Sequence, residues 1–413
     1  AVSSRNCYYK ERATFRMPHR RQVSFGVNSM DLAVKPDTHK SPILPKLLTV
    51  FGLLFVFLVG VRGLGGGFRL LGEDLIQSFF TATENPFMGL LVGLLATTIV
   101  QSSSVTTAMI VGLVAAPENP LPLLNAVPMV MGANIGTTVT ATIVALGHIG
   151  RREEFERAFP VAICHDVFNY IAVLVLLPLE MFTGFLQSTA GWLTGFLGEF
   201  GGVVYRSPLR TLLGYGLAPI SAVNEALFTT EGSQAIFLIM VSGFLIFSAL
   251  FFIVKVMSGA VQSRVESAVN KALGVNAVVS ILIGVIVTIM VQSSSITTSL
   301  LVPLAGAGLL RLERAFPVTL GANIGTTVTG FLAAMAVTGV NATAGLQIAL
   351  VHLIFNLSGA LMIYPIPAVR NIPLRISRRI ARLAVRSRRL TLVGVGLLFY
   401  GLPALAVFFS RML

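Results

Sequence analysis

Gln101, Ser102, Ser103 and Ser104 set one amide and three hydroxyls into otherwise apolar sequence, and Gln292, Ser293, Ser294 and Ser295 repeat the string. Each copy is followed by GANIGTTVT, at residues 132–140 and 321–329, and then by His and Asn one helical turn apart, HDVFN at 165–169 and HLIFN at 352–356. The copies stand 191, 189 and 187 residues apart (Gln101 to Gln292, Gly132 to Gly321, His165 to His352), so the chain reads as a duplicated unit. RAFP also occurs twice, at 157–160 and 314–317, but at unmatched places in the repeat. Hydroxyls and amides in apolar surroundings are expensive unless compensated, so they need a ligand or each other.

Three hydroxyls at the start of a half-helix, beside free backbone N–H groups and the positive end of the helix dipole, make an anion site without Lys or Arg. Two oppositely oriented copies would converge near the membrane midplane and surround a tetrahedral oxyanion with donors. The same hydroxyls, with the amide oxygens of Gln101, Gln292, Asn134 and Asn323, are hard oxygen ligands suited to Na⁺. Asp166 has no acidic counterpart in the second copy, where Leu353 stands, and reads as a cation ligand or proton carrier. Ser, Thr and Gly are also frequent at ordinary membrane-helix interfaces, where they permit close approach. A single QSSS favours that plain reading; the doubled QSSS and GANIGTT favour a substrate site. For the His/Asn pairs, simple helix packing competes evenly. Glu180, at a helix end, reads as interfacial.

The elements that must carry these residues follow from composition. With 54% hydrophobic and 11% charged residues in 413, the chain has too little charge to coat a soluble domain and is expected to be an integral, multi-pass membrane protein. The net charge of +13 gathers in the first 46 residues and at 370–389, beside apolar runs, which points to cytoplasmic anchoring and anionic lipid, not nucleic acid. Cys7 and Cys164 suggest neither a disulfide framework nor a metal set. Runs at 47–61, 159–179, 235–256, 347–365 and 390–409 fit spanning helices. The stretches 88–114 and 279–304 are split at QSSS into halves too short to span, and GANIGTT interrupts 123–146 and 315–337 as an expected unwound segment. If both QSSS segments turn back, the inside loops hold eight basic residues (Arg151, Arg152, Arg157, Lys255, Arg264, Lys271, Arg311, Arg314) against four outside (Arg62, Arg69, Arg206, Arg210); if both cross, the count reverses. Re-entry also leaves three crossings per repeat, so the second copy must be inverted.

The expected fold is therefore an all-α membrane protein, an inverted-repeat secondary transporter with two re-entrant helical hairpins and two broken helices. Its parts are a disordered basic arm (1–40), a first repeat (41–205), an extracellular linker (206–234), a second repeat (235–367), a basic cytoplasmic linker (368–389) and a C-terminal hydrophobic helix (390–413). For the arm, a transit segment or upstream sequence before a start at Met17 or Met30 is the competing reading. Trp192 is expected to mark a return to the membrane interface.

QSSS, GANIGTT, the run from Arg157-Ala158-Phe159 into HDVFN, VLVLLPLE at 173–180, the second RAFP and YPIP at 364–367 resemble the type II sodium/phosphate cotransporters over roughly residues 47–409. The resemblance implies Na⁺-driven phosphate uptake through an elevator-like fold. It implies phosphate contacts at Gln101 to Ser104, Asn134, Thr137, Gln292 to Ser295 and Asn323, and sodium contacts at Thr142, Asp166, Asn169, Gln292, Thr326 and Thr329, with Asp166 implying an electrogenic cycle. His148, Arg151 and Ala322 depart from the animal pattern, and the outward loop lacks a cysteine pair. The expected function is a sodium-coupled phosphate symporter of the plasma membrane, with no cofactor beyond the co-transported Na⁺ and no nucleic-acid partner. A homodimer is compatible with this reading but not required by it. The alternatives are another oxyanion, coupling to H⁺ through Asp166 and His165, or an intramembrane serine hydrolase, against which stands the lack of a nucleophile elbow.

Overall fold

The computed structural model describes residues 43–70, 81–116, 119–201, 208–272, 276–337 and 341–409; the arm expected over residues 1–40 lies outside them, as do residues 206 and 207 of the expected linker. The described chain is helical throughout. In its first half α1 (Ile43–Leu70) leads to two short helices, α2 (Pro86–Val100) and α3 (Ser103–Val114), then to α4 (Leu123–Thr137), α5 (Val139–Leu146) and the long α6 (Arg152–Thr183). After α7 (Phe185–Gly201) and α8 (Pro208–Leu227) the order recurs as α9 (Glu231–Ala272), the short α10 (Ala277–Val291) and α11 (Ser294–Gly306), α12 (Leu312–Ala336) and α13 (Ala342–Ile363). The chain continues through α14 (Pro367–Arg386) into α15 (Arg388–Phe409), which contains a π turn at Leu397–Gly401.

Among the described residues seven helical spans, one of them α4 and α5 together, are long and apolar enough to cross a membrane, with mean hydropathies from 1.3 to 2.7. Phe182, Leu174, Ile99 and Phe244 stand 87, 74, 70 and 68% exposed, a surface that suits hydrocarbon and not water. The protein is an integral, multi-pass membrane protein.

The QSSS segments turn the chain in the same way twice. Gln101 (φ 58°, ψ 24°) and Gln292 (φ 56°, ψ 26°) end their helices in the left-handed region, and Ser102 and Ser293 follow extended, each accepting a 3.3 Å bond from a backbone N–H of the next helix. α2 and α10 are 15 residues each, about 22 Å, short of the roughly 30 Å hydrocarbon core. Thr288 donates to Thr297 at 2.9 Å, although nine residues of continuous helix would separate them by about 13 Å, so α11 folds back on α10. Arg157 Nε donates to the Gly306 carbonyl at 2.9 Å, and Arg157 and Arg311 line one cavity.

Each hairpin meets the GANIGTT helix through glycine. A Cβ on Gly93 would strike the Met129 carbonyl, and one on Gly132 would strike that of Leu90; in the second half the reciprocal pairs are Gly284 with Val318 and Gly321 with Ile281. Gly136 and Gly325 extend the contact, where a Cβ would lie 2.6 Å from the Leu94 carbonyl and 2.8 Å from that of Val285. The strings are thus small-residue faces for close helix approach. Of the two broken helices expected, the first is interrupted within its string and the second is not. α12 runs unbroken through residues 321–329, and α4 and α5 are parted only at Thr138, whose dihedrals (−72°, −21°) stay helical. In α12 the glycines serve packing and leave the i to i−4 ladder intact, whereas in the first half the ladder skips at Thr138, whose N–H bonds the Ile135 carbonyl and not that of Asn134.

The stretch between the halves, expected as a loop, holds α7 and α8, and the expected basic linker is the amphipathic α14, which buries Pro373, Leu374, Ser377 and Ala381 against α6. Glu180 is buried. It accepts from the backbone N–H groups of Leu186 (2.6 Å) and Gln187 (3.3 Å), across a turn at Gly184 (φ 62°), and so caps α7.

Gly132→Ala and Gly321→Ala are expected to cost about 2 kcal/mol or more each through overpacking against backbone that cannot retreat. Gly243→Ala, where a Cβ meets nothing within 4 Å, should be neutral or stabilising. Thermal unfolding of the purified variants in detergent reads the contrast.

Candidate functional site

Both hairpin tips open onto one cavity of about 330 Å³, lined by Gln101 and Ser102 from the first, Gln292, Ser293 and Ser295 from the second, and Thr140 from α5. Phe247, Leu250 and Phe251 of α9 close it with an apolar wall. No Lys or Arg lines it. The two glutamines pay for left-handed backbone that glycine adopts freely, which marks the side-chain amide as the reason they stand there.

Each amide is held by the last Thr of its own GANIGTTVT string. Thr140 Oγ1 donates to Gln101 Oε1 at 3.0 Å and Thr329 Oγ1 donates to Gln292 Oε1 at 3.1 Å. Gly132, Gly136 and Thr140 lie at i, i+4 and i+8, as do Gly321, Gly325 and Thr329, so one helix face first seats the hairpin arm and then grips its tip. The Nε2 groups return to the Thr98 carbonyl (2.5 Å) and the Ile289 carbonyl (2.8 Å). The halves touch here directly, because Thr329 Oγ1 also lies 3.3 Å from Ser104 Oγ. Ser103 and Ser294 are buried beside the tips.

The other candidate residues occupy two further places. At the centre, Asn323 of α12 donates to Asn169 Oδ1 (2.8 Å) and accepts from His165 Nε2 (2.6 Å), while Asn169 donates to the Asn134 carbonyl (2.8 Å), so α4, α6 and α12 are tied by one network. Asn134, Thr137 and Thr326 bond their own helix at Val130, Ala133 and Ala322. The second His/Asn pair differs: among the described residues Asn356 Nδ2 bonds only the His352 carbonyl, and neither ring nitrogen of His352 has a partner. Asp166 stands in a separate, largely apolar cavity of about 260 Å³ against α14 and α15, one oxygen accepting from Thr142 at 3.0 Å and the other without a hydrogen bond among the described residues. His148 and Arg151 are both engaged by Glu154, at 3.0 and 3.1 Å.

Two tip residues escaped the sequence reading. Thr140 was legible as the copy of Thr329. Tyr400, whose hydroxyl lies 3.3 Å from Gln101 Nε2, was not, since the π turn that aims it has no sequence signature in an apolar run.

A chain with Ser104→Cys and Thr329→Cys, lacking its native cysteines, should form a disulfide under mild oxidant and keep its halves joined after cleavage at a protease site placed between α8 and α9. Halves that separate on a non-reducing gel would contradict the contact.

The sequence pattern of the family described as Na+/Pi-cotransporter matches residues 56–197 and 244–406. Sodium-dependent phosphate transport protein 2A of Rattus norvegicus is 32% identical over 428 residues, which cover 87% of this chain and 67% of that protein. Sodium-dependent phosphate transport protein 2B of Homo sapiens is 31% identical over 445 residues, covering 87% of this chain and 64% of that protein. The chain thus spans about two thirds of the length of these relatives. No solved structure matches it.

Proposed function

The chain belongs to the Na+/Pi-cotransporter family, whose named relatives are transporters and not enzymes, and from that premise we propose that it is a sodium-coupled symporter importing inorganic phosphate across the plasma membrane. The observation that carries this reading is the single cavity shared by both QSSS tips. Phosphate sits between the tips, met by the Ser102, Ser293 and Ser295 hydroxyls, the amides of Gln101 and Gln292, and the N-terminal N–H groups of α3 and α11. With no Arg or Lys on the cavity wall, a divalent anion there needs cations bound with it, so occupancy by one favours the other. Sodium takes the oxygens of Asp166 and Thr142 and those around Asn169, Thr326 and Thr329. The hairpins are re-entrant and the two halves inverted, which the fold-back at Thr288–Thr297 and the neighbouring Arg157 and Arg311 support.

Labelled phosphate uptake into proteoliposomes should rise at least tenfold with an inward Na⁺ gradient; uptake indifferent to Na⁺ defeats the proposal, and competition by sulfate or arsenate separates other oxyanions. Gln101→Gly and Gln292→Gly relieve the left-handed backbone, so they should preserve or raise the unfolding temperature while cutting uptake at least tenfold. Asp166→Gly should remove the acceleration of uptake by an inside-negative potential. Unchanged voltage dependence in that variant would dismiss Asp166 as a charge-bearing group.

A further inference from the structure

A second polar cavity, of about 840 Å³, lies between the first turns of α6, the α11–α12 connection and α14, and shares no residue with the tip cavity. Arg157, Arg311, Arg378 and Arg382 face it, against Glu156 and Glu313. Arg378 is paired with Glu313. Arg157 spends Nε on the Gly306 carbonyl, which fixes the plane of its guanidinium at the wall. Arg311 and Arg382 make no ion pair or side-chain hydrogen bond among the described residues. Guanidinium groups converging on one concavity repel each other unless an anion joins them, and their planar forks suit phosphate oxygens.

Three elements distant in sequence build this place. α14 sets Arg378 and Arg382 one turn apart at the edge of the face whose Leu374, Ser377 and Ala381 bury against α6. Buried Leu310 and Leu312 supply an apolar floor. The volume falls in the range of sites for small organic ligands and far exceeds the needs of a lone phosphate ion. Arg157 and Arg311 belong to connections that the loop-charge count assigns to the cytoplasmic side, and an amphipathic basic helix beside spanning helices lies at the level of anionic headgroups there.

We propose that this cavity binds the phosphomonoester-bearing headgroup of an inner-leaflet lipid of the phosphoinositide type, the arginines of α6, α12 and α14 gripping its phosphates. The inference does not rest on the transport reading, since binding is read without transport.

The test uses the purified full chain in detergent and short-chain phosphatidylinositol bisphosphate as probe, with binding followed by native mass spectrometry and thermophoresis. Short-chain phosphatidylserine and inorganic phosphate are the comparison ligands. The bisphosphate lipid should bind at least tenfold more tightly than phosphatidylserine, and R311Q/R382Q should weaken it at least tenfold. R379Q/R386Q removes the same charge from α14 outside the cavity and should change binding less than twofold. Should the first pair fail to fold, R311K/R382K keeps charge while losing the fork, and severalfold weaker binding is expected. Equal weakening by both glutamine pairs, or equal binding of the two lipids, overturns the site as diffuse surface charge. Displacement of the lipid by an equal concentration of inorganic phosphate overturns the headgroup assignment in favour of free phosphate.

Discussion

Backbone lies directly on backbone where α2 meets α4 and where α10 meets α12, and this contact decides where each hairpin ends. Gly93 and Gly132 in one half, and Gly284 and Gly321 in the other, remove the side-chain layer that normally separates helices by 8–10 Å. Once seated, the arm can extend only as far as the Thr two turns beyond the first glycine of the string. There Thr140 or Thr329 meets the glutamine amide. Packing and chemistry therefore share one helical stripe, and a glycine lost from it would misplace the amide it does not touch.

The duplication is close in the tips and looser at the centre. The turn dihedrals of Gln101 and Gln292 agree within two degrees, and Asn85 and Asn276, at the same 191-residue offset, cap the two outer arms. At the centre the copies part company: His165 and Asn169 reach across to Asn323, whereas His352 and Asn356 have no side-chain partner among the described residues. Asp166 has no acidic mirror image, and its cavity opens toward α14 and α15. A symmetric frame thus holds an asymmetric set of polar groups.

Much of this was legible in the sequence because membrane constraints are severe. Polar strings inside apolar runs and their offsets gave the apolar spans and the two places where short helices meet at QSSS. The second GANIGTT string was misread because glycine carries two meanings, permitted backbone freedom and permitted contact, and only the neighbouring carbonyl of Ile281 distinguishes them. Tyr400 and the arginine cavity were hidden for a different reason. Each joins residues more than a hundred positions apart, and neither carries a local periodicity that could announce the meeting.

The glycine seams also constrain how the molecule can move. Two helices meshed without intervening side chains have no compliant layer to serve as a bearing, and sliding by one residue would drive a carbonyl into a Cα. Each arm and its companion helix must then travel as one stiff body. Displacement is left to seams filled by large side chains, such as the one where Phe247, Leu250 and Phe251 of α9 face the tips, where rotamer changes give the slack that glycine denies.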